Sequence, residues 1–264
     1  MERRITESLV EDFGSGGATG TAPAGRRSDV TQNDIPDIVI RRLPLYARSL
    51  SYLYGEGIET VSSSDLGLRL GVSAAQIRRD LSYFGEFGKQ GKGYNVAYLL
   101  AEINSILQLD REWPMALVGL GHLGRALLHY EGLAEQGFRI QALFDHNPSK
   151  VGQVIDDMEV YSMHDLPVVL SKAGIKIAIM AVPATGAQAA ADALVSGGIE
   201  AILNYAPIIV QVPAHVRIRH IDPIVALQTM TYYVHDARQE VGKGAGYNGA
   251  SASTHERARS DKLD

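Results

Sequence analysis

The stretch that most constrains this chain is Val118-Gly119-Leu120-Gly121-His122-Leu123-Gly124. An apolar run, Met115-Ala116-Leu117-Val118, leads into it, and an apolar helical pattern from Leu123 to Leu133 leads out. Strand, Gly-X-Gly-X-X-Gly, helix is the arrangement that lays a pyrophosphate on a helix N-terminus. Gly119 permits the tight turn. Gly121 lets the backbone approach the phosphates, and Gly124 lets the helix pack close to its strand. Leu120, His122 and Leu123 complete the cradle, with His122 facing phosphate. The second strand, Phe138–Phe144, ends at Asp145, about 20 residues beyond Gly124. A carboxylate at that distance hydrogen-bonds the adenosine ribose and repels a 2′-phosphate, which favours NAD(H) over NADP(H). The competing reading of Asp145 is an ordinary turn aspartate before His146-Asn147-Pro148. Asn147 and Lys150 would line the adenosine end.

The rest of this half alternates. Strands are expected at Met115–Val118, Phe138–Phe144, Glu159–Tyr161, Ile175–Ala181, Ala201–Leu203 and Val216–Ile221. Helices are expected at Leu123–Leu133, His164–Lys172, Gly186–Ser196 and Pro223–Glu240. Alternation of this kind predicts a doubly wound parallel sheet of Rossmann type, an α/β architecture. Ligands bind outside the carboxyl ends of such strands. Val182-Pro183-Ala184 and Asn204-Tyr205-Ala206 follow two of them and would face the nicotinamide. An ordinary strand-to-helix turn at Val182 has comparable weight.

The first half has a different pattern. A helix starts near Asp34-Ile35-Pro36-Asp37, with Ile38, Ile40, Leu43, Leu45, Leu50 and Leu53 as its apolar face and Pro44 expected to kink or split it. Ser63 or Ser64 caps a second helix, Asp65 to Leu70, which Gly71 ends. Ser73-Ala74-Ala75-Gln76 is a capping box, in which the hydroxyl takes the fourth residue's amide and the Gln side chain reaches back. Ile77, Leu81 and Phe84 then form the buried face, so Arg78, Arg79 and Ser82 point outward. This is the helix-turn-helix pattern. Gly85 to Tyr94 carries Lys89 and Lys92 among glycines and aromatics and reads as the hairpin wing of a winged helix. Its arginines would read guanine or phosphate, and the wing lysines would approach the DNA backbone. Against this stands a small charge surplus, since Asp80 and Glu86 offset the cations, and a solvated face is the usual explanation of adjacent arginines.

Composition sets the limits. The net charge of −5 gives no overall basic signal, so any nucleic-acid function rests on a local patch. There is no cysteine, which excludes disulfides and thiolate chemistry. The histidines are scattered without metal-ligand spacing, and no metal is expected. No run approaches the roughly 20 apolar residues that span a bilayer, and no secretory h-region opens the chain. The reading is cytoplasmic, with no membrane partner. The divisions expected are a disordered tail at 1–30, a winged-helix domain at 31–112, a Rossmann domain at 113–222, a dimerisation helix at 223–241 and a second tail at 242–264. The helix at 223–241 is apolar round much of its circumference; a core helix and a helix docked on a second subunit fit it equally.

Ile77-Arg78-Arg79-Asp80-Leu81-Ser82-Tyr83-Phe84-Gly85-Glu86-Phe87-Gly88-Lys89-Gln90-Gly91-Lys92-Gly93-Tyr94, with Gly119 to Gly124 and Asn204-Tyr205-Ala206-Pro207, closely resembles the Rex family of redox-sensing transcriptional repressors. The resemblance covers about residues 35–240. It implies a homodimer of winged-helix and Rossmann domains whose terminal helix is exchanged between subunits. It implies binding to a palindromic double-stranded operator, release by NADH, and competition by NAD+ without release. It places DNA contacts at Ser73, Gln76, Arg78, Arg79, Ser82, Tyr83, Lys89 and Lys92. It places Tyr94 and Asp222 near the switch between domains.

No acid–base pair with convincing spacing accompanies the glycine motif, which argues against hydride-transfer catalysis. The rival readings are an NAD-dependent dehydrogenase with a helical extension and a CoA- or nucleotide-binding subunit.

Overall fold

The computed structural model describes residues 35–89 and 91–244. The expected tail at 1–30 lies outside them. So does the second tail, apart from 242–244, which continue the terminal helix.

Helix α1, Asp37–Gly55, runs through Pro44 without a break. Pro44 is exposed, as is Ile40, whose carbonyl loses its intrahelical donor to the ring; water can satisfy it there. The buried face of α1 is Val39, Leu43, Tyr46, Ala47, Leu50 and Leu53. The expected face is thus corrected, because Ile38, Ile40 and Leu45 point to solvent. After β1 (Thr60–Val61), α2 spans Ser63–Leu70. Its cap is Ser62, earlier than expected, whose Oγ accepts the Asp65 N–H at 3.0 Å. Gly71 ends α2 in the left-handed region at φ 67°.

Helix α3, Ala74–Ser82, carries the arginines. Half of the expected capping box forms. Ser73 Oγ accepts the Gln76 N–H at 3.1 Å, but the Gln76 amide turns forward to Asp80 Oδ1 at 2.6 Å. A carboxylate is the stronger acceptor and outcompetes the cap. Strands β2 (Gly88–Lys89) and β3 (Gly93–Asn95) form the wing, and β3 also pairs antiparallel with β1. Helix α4, Val96–Ile106, closes this unit with α1.

The second unit is a seven-stranded sheet. Its strands are β4 (Trp113–Val118), β5 (Phe138–Asp145), β6 (Val154–Ile155), β7 (Met158–Ser162), β8 (Ile177–Met180), β9 (Ala201–Asn204) and β10 (Arg217–His220). Their order is β10-β9-β8-β4-β5-β7-β6, parallel except for the β6–β7 hairpin. Leaving out β6, this is the 3-2-1-4-5-6 order of dinucleotide folds, with its reversal between β4 and β8. The helix expected over Leu123–Leu133 is two, α5 (His122–Leu128) and α6 (Glu131–Glu135). Tyr130 between them is extended, and its ring folds onto Gly132, where a Cβ would lie 2.7 Å from it. Helices α7 (Leu166–Ala173) and α8 (Ala184–Ser196) cover the face that holds Phe144, Ala178 and Met180. Helix α9, Pro223–Gly244, follows β10. Among the described residues no helix is long and apolar enough to cross a membrane.

Candidate functional site

Four loops meet at the carboxyl ends of adjacent strands β9, β8, β4 and β5. They are Asn204–Pro207, Ala181–Thr185, Leu120–Gly121 and Asp145–Lys150. The glycine turn is bonded to both flanking strands. Gly119 N–H donates to Phe144 O, and Ala181 N–H to Val118 O, each at 2.8 Å. Gly119 has φ 94°, and a Cβ there would stand 2.5 Å from Ala181 O. A side chain is excluded twice over, by conformation and by space. At Gly124 a Cβ would lie 1.9 Å from Gly119 O, so this close contact of helix and turn requires glycine. Gly121 has nothing within 4 Å of its missing Cβ, so the cradle is open on that side. The tight turn at Gly119 and the close helix packing at Gly124 are as the spacing predicts. The first backbone N–H groups of α5 have no side-chain cap, and the start of a helix is where such groups lack intrahelical partners. His122 and Leu123 are exposed at that helix start, whereas Leu120 packs its side chain into the core.

Asp145 is 2% exposed. Its Oδ2 accepts the Leu120 N–H and the Lys150 ammonium, both at 2.8 Å, and its Oδ1 accepts the Asn147 N–H at 2.9 Å. Burial alone would raise this carboxyl's pKa; the Lys150, Asn147 and Leu120 hydrogen bonds outweigh it and hold the pKa below the ordinary carboxylate value. His146 Nδ1 also stands 3.5 Å from Oδ1. The expected repulsion of a 2′-phosphate is weakened by the neighbouring Lys150 charge. Lys150 also donates to Leu120 O at 3.2 Å, and Arg125 Nε reaches the same carbonyl at 3.4 Å. The acid, Lys150 and Arg125 therefore brace the glycine turn, a role that spacing does not reveal. Asn147 Oδ1 accepts from Ser149 N–H at 3.0 Å, which closes the turn after β5.

Asn204 is completely buried. Its Oδ1 accepts Ala206 N–H at 2.8 Å, and its Nδ2 reaches Ile208 O at 3.0 Å and His220 Nδ1 at 2.9 Å. Asn204 thus shapes this loop from within, with Ala206 buried beside it. Tyr205 and Val182 are partly buried, as is Ala184, with Pro183 exposed beside them.

On the first unit, Arg78, Arg79, Ser82 and Lys92 are exposed, with Ser73 at the helix start and Tyr83 partly buried after its end. Lys89 stands in the first wing strand. Arg78 Nη1 donates to Ser63 Oγ at 2.8 Å, so the first turn of α2 holds one edge of its guanidinium. Asp80 does not offset these cations. It is wholly buried and paired with Arg42, which leaves the outer face more basic than a charge count along the sequence indicates. Tyr94 is buried in the winged-helix core with Val61, Leu66 and Ile77. That placement corrects its expected position between the domains; on β3 the alternating face turns it inward. Asp222 is partly exposed, and its Oδ1 caps α9 by accepting the Ile224 N–H at 2.9 Å. The two units are bridged by an ion pair at 3.8 Å between Arg219 on β10 and Asp37, the first residue of α1.

Comparison with known proteins matches residues 34–82 to the family described as putative DNA-binding protein N-terminus, and residues 110–208 to the CoA binding domain. A redox-sensing transcriptional repressor Rex of Roseiflexus sp. (strain RS-1) is 60% identical over 199 residues, 75% of this chain and 90% of that protein. This chain belongs to the Rex family of redox-sensing transcriptional repressors. A Rex-family member is a regulator, not an enzyme, which settles against the dehydrogenase reading. Two solved Rex-family structures superpose. RSP in complex with β-NAD+ and operator DNA gives a TM-score of 0.73 at 36% identity, covering 81% of this chain and 99% of its own. RSP in complex with β-NADH gives 0.69 at 34% identity, covering 80% and 98%.

Proposed function

We propose that this chain represses transcription from a palindromic operator in the cytoplasm and lets go when NADH occupies its glycine cradle. The observation that carries this is one chain holding both a capped, arginine-bearing helix with a basic wing and a glycine turn at the reversal of strand order. The working division is 31–112 for DNA, 113–222 for the dinucleotide and 223–241 for dimerisation. In this reading Gly119–Gly124 hold the pyrophosphate, and Asp145, Asn147 and Lys150 the adenosine end. Val182, Pro183, Ala184 and Tyr205 meet the nicotinamide, with Asn204 and Ala206 fixing the loop beneath. Oxidised nicotinamide is charged and the reduced ring is neutral, so an apolar wall favours NADH.

Helix α9 supports a dimer. Ile224, Val225, Leu227, Met230, Tyr232, Tyr233 and Val234 are each more than half exposed in the single chain. Such a face is covered by a partner, and a two-fold dimer with exchanged helices covers both copies at once. Two recognition helices then meet half-sites one helical turn apart. NADH acts by its differential affinity for a dimer geometry that breaks that spacing; moving the population from 1:99 to 99:1 takes about a 10⁴-fold preference.

The test is a mobility-shift titration on duplex selected from a random pool by the protein itself. Bound duplex is expected to be released by NADH and retained with NAD+. Equal retention with both nucleotides would sink the proposal. Release by CoA instead would move the cradle to the ligand class of the matched CoA-binding domain.

Asp145→Ala removes the acceptor shared by Leu120, Asn147 and Lys150. Losing hydrogen bonds to a charged group costs about 1.5–3 kcal/mol, so NADH affinity measured by calorimetry should fall about 10- to 100-fold. Operator binding without nucleotide should remain. Loss of operator binding would contradict the division of labour.

A further inference from the structure

The winged-helix unit buries one charge cluster, of which only Gln76 is among the expected DNA contacts, and its amide is turned inward to Asp80. Asp80 lies on α3, on the side turned away from Arg78 and toward Ile77 and Leu81. It is fully buried. Arg42 grips it with two parallel bonds, Nε to Oδ2 at 2.5 Å and Nη2 to Oδ1 at 2.8 Å. Tyr46 donates its hydroxyl to Oδ2 at 2.6 Å, and Gln76 donates to Oδ1 at 2.6 Å. Arg42 and Tyr46 are one turn apart on α1, and Gln76 and Asp80 are one turn apart on α3. The result is a two-by-two clamp between these helices. Among the described residues no buried side-chain nitrogen or oxygen lacks a partner, so the cluster is complete. Burial alone would raise the Asp80 carboxyl's pKa; the bonds from Arg42, Tyr46 and Gln76 reverse that and hold the carboxyl ionised below its ordinary value.

Stability is a poor reason for such a cluster. Desolvating an ion pair is costly, and well-packed apolar side chains usually replace it at no loss. What an apolar contact lacks is direction. Ile77 and Leu81 would hold α3 almost as well after a small roll or slide, because burial is non-directional. A bidentate guanidinium–carboxylate pair fixes both angle and register. A roll of α3 would swing Arg78 and Arg79, which stand two positions and one position before Asp80.

We propose that Asp80, with Arg42 and Tyr46, is the positioning clamp that sets the rotation of the DNA-reading helix and so the sequence specificity of the protein. This rests on the repressor reading above and adds residues that touch no DNA themselves.

The test compares two full-length variants with the natural chain. Arg42→Met with Asp80→Leu replaces the pair by apolar side chains. Tyr46→Phe removes one hydroxyl. Each is measured for affinity to the duplex selected by the natural protein, for affinity to a scrambled duplex at the same salt, for NADH affinity and for thermal midpoint. The double variant leaves the buried Tyr46 hydroxyl without its acceptor, so its midpoint should fall by several degrees, while its NADH affinity and scrambled-duplex affinity hold and its selected-to-scrambled ratio falls about tenfold or more, the scale of one misread base pair. Tyr46→Phe should lower that ratio about threefold, and it decides the matter if the double variant does not fold. An unchanged ratio overturns the clamp, and so does a parallel fall for both duplexes, the signature of lost folded protein. If the natural chain selects no duplex, the repressor reading fails and the clamp's role fails with it; if it does and the ratio holds, the clamp alone fails.

Discussion

Gly124→Ala should leave a protein that binds its operator and no longer responds to NADH. The added Cβ would lie 1.9 Å from Gly119 O and 3.0 Å from Gly119 C, both backbone atoms that no side-chain rotation can clear. Either α5 backs away from the turn or the turn moves. The turn cannot recoil, because at Gly119 the opposite wall, Ala181 O, leaves no room for even a Cβ. So α5 must move, and it carries the backbone N–H groups that would meet the pyrophosphate. Overpacking of this kind costs about 1–3 kcal/mol or more. Charged against the liganded state, that is roughly a 5- to 150-fold loss of NADH affinity, at 1.4 kcal/mol per tenfold, and the upper end is expected because the obstacle is backbone. Calorimetry with NADH and a mobility shift without nucleotide read the two halves separately. An NADH affinity within threefold of the natural chain would remove the cradle from the proposed mechanism.

That prediction uses what was legible in the sequence. The glycines, their flanking strand and helix, and the alternation behind them are local signals, and their tasks follow from one short stretch. The helix-turn-helix is local as well, since Ser73 and Gly71 mark where helices start and stop. What the residues did not disclose depends on partners distant in the chain. Asp80 beside Arg78 and Arg79 reads as part of a solvated run. Only the fold brings Arg42 and Tyr46 against it and takes its charge off the surface. Asp145 likewise reads as a ribose acceptor by spacing, while the fold spends most of its lone pairs on Leu120, Asn147 and Lys150. Asn204 sits at the mouth of a strand, yet its amide is consumed within its own loop and by His220. Of the β6–β7 hairpin the sequence shows only Glu159–Tyr161 in β7, and β6 stays hidden for a different reason. Asp156 and Asp157 turn the hairpin with φ 47° and 62°, where the familiar signal is Asn-Gly. Polar residues at a strand end can thus face the ligand or hold the loop, and periodicity does not separate these.

Arg78→Ala is the matching prediction on the other unit: operator binding lost, NADH binding intact. Arg78 is exposed on α3, and Ser63 Oγ holds its Nη1 at 2.8 Å. That tether occupies one edge of the guanidinium and leaves the remaining donors directed outward. A pre-positioned arginine loses less side-chain entropy on binding than a free one. Alanine removes the contact and the tether together. A guanidinium that reads a base or a phosphate pair contributes about 1–3 kcal/mol. The proposed dimer carries two copies, so the loss is about 2–6 kcal/mol, or roughly 30-fold to ten-thousand-fold. Fluorescence anisotropy with labelled duplex measures it, and salt dependence identifies the contact. If Arg78 meets phosphate, the slope of log affinity against log salt falls by about one for each copy, and all sequences weaken alike. If it meets a base edge, the slope changes little and specificity relaxes at one position in each half-site. Ser63→Ala should reproduce a small part of the effect, since it frees the arginine without removing it. Operator affinity within twofold of the natural chain in Arg78→Ala would take α3 out of the groove altogether.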